Sequence, residues 1–189
     1  MAFGDRKKKK YTDFVETVSG EIVYVGKHYV YDPGNPLPYR RFRSAIALSC
    51  TGSAILAACA GLYRAPGTDR TLYVVLPYVI LLCFTALMCY RGGKVVKANN
   101  PMRAFDYHGS YEPMQHWAAA SIAFGVILIG CYLFHLFRSG REGCSMAATV
   151  CFPLMAALIC ASDGWLFWLT KKNLWHEGEA SSEEPEETL

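Results

Sequence analysis

Four stretches of about 20 residues contain no Asp, Glu, Lys or Arg: Ser44–Tyr63, Thr71–Tyr90, Trp117–Phe137 and Gly143–Ser162. Nothing else in the sequence limits the fold so strongly. At 1.5 Å per residue, roughly 20 residues cross the roughly 30 Å hydrocarbon layer of a bilayer. Inside that layer a helix satisfies its own backbone polar groups. The sequence therefore predicts an all-α membrane protein, a four-helix transmembrane bundle with spans at about 44–63, 71–90, 117–137 and 143–169.

Charge sets the expected orientation. Fifteen Lys and Arg lie before Ser44, in 91–116, or at Lys171 and Lys172, whereas only Arg64, Arg70, Arg138 and Arg141 lie in the other two connections. Basic residues mark cytoplasmic segments, so both termini are expected in the cytoplasm. The first 14 residues are basic and polar, so the first span is expected to direct insertion itself. The cell membrane is the expected location, and the bilayer is the first partner. The connections at 64–70 and 138–142 are short, which makes two antiparallel helical hairpins.

The chain divides into a basic tail at 1–10, a cytoplasmic segment at 11–39, a membrane domain at 40–172 and an acidic tail at 173–189. Within 11–39, β-branched and aromatic residues predict a three-stranded meander: Asp13–Val18, Glu21–Val25 and His28–Tyr31. Ser19-Gly20 and Gly26-Lys27 would be its turns, with Tyr24 facing Tyr29. The sequence DPGNPLPY at 32–39 is an extended connector. Gly92-Gly93 and Asn99-Asn100-Pro101 are expected to break any continuous helix after the second span. The tail, with six acidic residues and no Lys or Arg, reads as disordered. Its last three residues, Glu187-Thr188-Leu189, only weakly resemble a peptide that adds to a sheet edge.

The two hairpins share basic flanks and one internal proline each, Pro77 and Pro153, at an offset of 76. Beyond that their identity is poor. Seven of the eight cysteines lie well inside the spans, with only Cys144 near the outer surface, and they read as small packing residues. There is no CxxC, so no thiol-redox or zinc site is indicated, and no cofactor is expected. His108, Glu112 and His116 are spaced for one helical face, but Gly109 and Pro113 argue against a helix there. His135 reads as an interfacial histidine without a polar neighbour. No phosphate loop, nucleophile elbow or zinc-protease pattern occurs, so enzyme activity is not expected. Nucleic-acid binding has only KKKK in its favour, which a topology signal explains better.

Two features carry the functional expectations. The first span has a small residue at every fourth position: Ala45, Ser49, Ser53, Ala57 and Gly61. Such a row lets helix backbones approach closely. Leu48, Ile55 and Leu62 form a separate seam. The row could pack within the chain's own bundle or against another membrane protein or a second copy. The second feature is Asp163, the one acidic or basic residue that could lie within a span. It is either an interfacial carboxylate flanked by Trp165 and Trp168 or a buried acid that couples to an ion or proton. The first expectation is thus a non-enzymatic accessory or assembly subunit that packs through the small face. The alternative is a small oligomeric transporter or channel using Asp163.

Overall fold

A computed structural model describes residues 14–16, 22–24, 26–68, 71–140 and 143–178. Four helices dominate it: α1 (Tyr39–Leu62), α2 (Leu72–Lys97), α3 (Glu112–Ser139) and α4 (Met146–Lys172). Each lies in a segment long and apolar enough to cross a membrane. This is compatible with a multi-pass membrane protein.

The helices form a ring in which α1 packs on α2, α2 on α3, α3 on α4 and α4 on α1. Paired side chains give the directions. Cys89 Sγ donates to the Cys50 carbonyl, and Tyr78 Oη donates to the Ala57 carbonyl, so α1 and α2 run in opposite senses. Arg91 with Trp117 at one end and Tyr73 with His135 at the other do the same for α2 and α3. The two expected hairpins are therefore adjacent halves of one ring.

Helix ends follow local chemistry. Ser145 caps α4 by accepting from the Ala148 amide at 3.1 Å, using an otherwise orphaned donor. Pro113 follows directly on a π-helical turn, at the second residue of α3. Two expected breaks do not occur. Helix α2 runs through Gly92-Gly93 to Lys97, and buried Gly92 lies against Cys50 and Ile46 of α1, where a side chain would have no room. The chain also stays helical through Gly109, by way of a short helix (Ala104–Asp106) and a π-helical turn (Tyr107–Tyr111) that run into α3.

The expected meander is replaced by two separate sheets. β1 (Phe14–Glu16) and β2 (Ile22–Tyr24) form an antiparallel pair of their own, with Phe14 opposite Tyr24. β3 (His28–Tyr31) instead lies between β4 (Met102–Arg103) and β5 (Trp175–Gly178), antiparallel to both. Tyr29 therefore faces Met102 and Glu177, not Tyr24. The physical reason is burial. Tyr31 is 5% exposed and packs its ring against Phe42 and Trp175, which a local hairpin could not supply. The start of the expected disordered tail is thus a strand. The basic tail at 1–10, the Ser19-Gly20 turn and the last residues of the acidic tail lie outside the described residues.

The three-stranded sheet closes one end of the ring. Beneath it lies an apolar core that includes Phe42, Ile46, Met88, Met114, Ala118 and Leu166. Toward the opposite end lies a second core, with Ala57, Leu81, Leu128, Tyr132, Phe152 and Ile159. The site lies between the two.

Candidate functional site

The site is a polar layer across the helix ring, built from residues that each helix turns inward. On α1 the small row faces the interior: Ser49, Ser53 and Ala57 are buried, and Ala45 is half-buried against the sheet-end core. The larger seam faces out, with Leu48 at 70% and Ile55 at 58% exposed. Gly61 lies at the rim against Tyr78, whose hydroxyl leaves no room for a Cβ. The row thus meets this chain's own helices: Tyr78 of α2 donates to the Ala57 carbonyl at 2.8 Å, and α4 meets Ser49 and Ser53.

Ser49 Oγ lies 2.9 Å from Ser162 Oγ and 3.0 Å from the Ser162 carbonyl. One turn along, Ser53 Oγ donates to Asp163 Oδ1 at 3.0 Å. From the other neighbouring helix, Ser121 Oγ of α3 donates to Asp163 Oδ2 at 2.5 Å. Asp163 is 1% exposed. Each carboxylate oxygen is therefore held by a hydroxyl from a different helix, and the carboxylate joins α1 to α3 across the ring. Close approach makes this possible. Gly125, one turn after Ser121, has no room for a Cβ against Cys160 of α4.

The depth of Asp163 is set by the length of α4. It lies nine residues before Lys172, as Ser121 lies nine after Glu112. Nine residues correspond to about 13 Å of helix. Asp163 is therefore interior to the bundle and not at a helix end. Thr85, the buried polar residue of α2, turns its hydroxyl back to the Leu81 carbonyl at 2.9 Å and leaves the carboxylate to the serines.

No Lys, Arg or His pairs with Asp163 among the described residues. An unpaired carboxylate out of water costs several kcal/mol, so its charge must be balanced by a proton or a cation. Two hydroxyl donors offset part of that cost but carry no charge.

The other sequence candidates lie elsewhere. His135, expected to be interfacial and alone, is 3% exposed, with Nδ1 2.8 Å from the Tyr73 hydroxyl at the end opposite the sheet. His108 Nδ1 lies 2.7 Å from Glu112 Oε2, and its Nε2 is 3.1 Å from the Tyr29 hydroxyl, all on the exposed sheet end. His116 does not join them. Among the described residues no group of three His, Cys, Asp or Glu is placed to hold a metal ion.

Sequence reasoning missed Ser121 and Ser162 as partners of the site. Ser121 stands in an Ala-rich run, and its depth relative to Asp163 depends on the register of two antiparallel helices. A search for polar residues at matching depth in different spans was the available signal. No family model matches this chain, and no curated protein or solved structure shows significant similarity to it.

Proposed function

We propose that this chain is a small multi-pass membrane transporter or channel in which Asp163 is the ion- or proton-coupling residue. The observation that carries this is the Asp163 carboxylate itself. It is buried at the middle of the ring, held by Ser53 and Ser121, and has no basic partner among the described residues. Ionisable residues placed this way are expensive, and they mark ion and proton pathways in membranes. The accessory-subunit reading rested on the small row of α1 as a docking face. Ser49, Ser53 and Ala57 of that row are buried against α2 and α4 of the same chain, which weakens the support for a partner there. The sheet end is the cytoplasmic end in this proposal, because it carries the basic ends of α1, α2 and α4.

Flux in reconstituted liposomes tests the proposal. Under an imposed ion or pH gradient, liposomes holding the wild type are expected to show flux above empty liposomes, and Asp163→Asn to return it to the empty level. Equal flux from folded wild type and Asp163→Asn would overturn the coupling role.

A further inference from the structure

We infer that the species exchanged at Asp163 is a proton and not a metal cation. This deepens the coupling reading and rests on it. A hard cation such as a sodium, magnesium or calcium ion needs an open cage of several oxygen ligands. Asp163 offers no such cage. Each carboxylate oxygen already has a hydroxyl at hydrogen-bond distance, 3.0 Å for Ser53 and 2.5 Å for Ser121. Those separations suit a hydrogen between two oxygens. The nearby hydroxyls are committed elsewhere, that of Ser49 to Ser162 and that of Thr85 to its own helix.

The other groups facing the carboxylate do not favour a hard cation either. The nearby thiols are committed to backbone carbonyls, Cys50 of α1 to that of Met88, Cys89 of α2 to that of Cys50 and Cys160 of α4 to that of Ile122. From α3 comes Ser121 alone, and no described element turns a Lys, Arg or His toward it. Sulfur is a soft ligand, poorly matched to alkali and alkaline-earth ions.

The two serines suit a proton for a further reason. A hydroxyl both donates and accepts. With Asp163 ionised, both serines donate to it. With Asp163 protonated, the acid O–H donates to one serine while the other still donates to the free oxygen. Release is then the loss of one proton from the carboxylic acid, leaving the carboxylate and passing the proton to water. Both states keep their hydrogen bonds without moving a heavy atom.

Infrared difference spectroscopy of the whole protein in lipid nanodiscs reads this directly. Raising the pH is expected to remove a carboxylic C=O stretch that is absent from Asp163→Asn at every pH. Adding sodium or potassium at fixed pH is expected to leave that band alone. If Asp163→Asn does not fold, Asp163→Glu keeps an acid, shifts the band and assigns it. An Asp163 band that ignores pH but moves with sodium would overturn the proton assignment. So would the absence of any Asp163 carboxylic band. These outcomes separate the two claims. Asp163-dependent sodium flux with a sodium-sensitive spectrum removes only the proton. A pH-dependent Asp163 band with flux that ignores Asp163 removes only the coupling role.

Discussion

Asp163 and its two serines make the most local predictions. Each hydroxyl satisfies one oxygen of a buried carboxylate. Removing either leaves that oxygen without its donor, at a cost of about 1–2 kcal/mol. Ser53→Ala and Ser121→Ala are therefore each expected to lower stability by that amount in a denaturing-detergent titration. Bulk should matter more on the same row. Ser53 is 2% exposed, so Ser53→Leu overfills the α1–α4 contact by about 1–3 kcal/mol or more. Leu48→Ala, on the outward seam, is expected to change stability by only about 0.5 kcal/mol. Equal effects of the two would contradict the inward placement of the row. The four-residue spacing was plain in the sequence, because it follows from one helix. Its direction was not, because that depends on what the neighbouring helices carry. Asp163 was visible as the one acidic residue that could lie within a span. Its depth was hidden because Gly164 and the tryptophans resemble a helix end at the interface, whereas α4 continues to Lys172.

At the scale of elements, the sheet shows where local pattern misleads. Gly26-Lys27 has good turn chemistry, yet β3 pairs with segments about 70 and about 145 residues away, as antiparallel registers permit at any separation. β5 is the sequence WHEG, whose polarity masks a strand. It is held in place by partners no periodicity reveals. Tyr31 Oη lies 2.7 Å from the Leu37 carbonyl and 2.7 Å from Asn173 Oδ1, so its one proton is shared between two acceptors. Burial pushes the Tyr31 phenol up to about 12, so it remains a neutral donor at ordinary pH. Tyr31→Phe removes both bonds and is expected to cost about 1–2 kcal/mol, read as faster amide exchange in β3 and β5.

A pH effect belongs to the same sheet. The Gly34 amide, and then His176, hold the Asp32 carboxyl below its usual range. A carboxyl depressed in the folded state contributes stability above its unfolded pKa and loses it as pH falls through its folded one. Amide protection in β5 is thus expected to weaken on acidification into and below the usual carboxylate range. Asp32→Asn should flatten that dependence. An unchanged acid profile in Asp32→Asn would contradict this anchor.

The whole molecule is a ring of four apolar helices with two apolar cores and one polar layer between them. The four helices were legible because their length and lack of charge follow from the bilayer alone. The layer was not, since it exists only where three helices meet. The ends of the ring differ in charge. Three helices pair an aromatic with a basic residue one turn away at the sheet end: Tyr39 with Arg43, Tyr90 with Lys94 and Trp168 with Lys172. Such pairs fit the boundary between hydrocarbon and an anionic leaflet. With the sheet end in the cytoplasm, a tag near Gly34 is expected to be reached only from inside the cell and one near Gly140 only from outside. The reverse pattern would invert the proposed orientation. The central claim is that a single buried carboxylate, poised by two serines, is the working group. Its most direct test is flux in liposomes holding matched amounts of wild type, Asp163→Asn and the Ser53→Ala/Ser121→Ala double variant. Flux is expected from the wild type, reduced flux from the serine variant and none above empty liposomes from Asp163→Asn. Full flux from folded Asp163→Asn would contradict it.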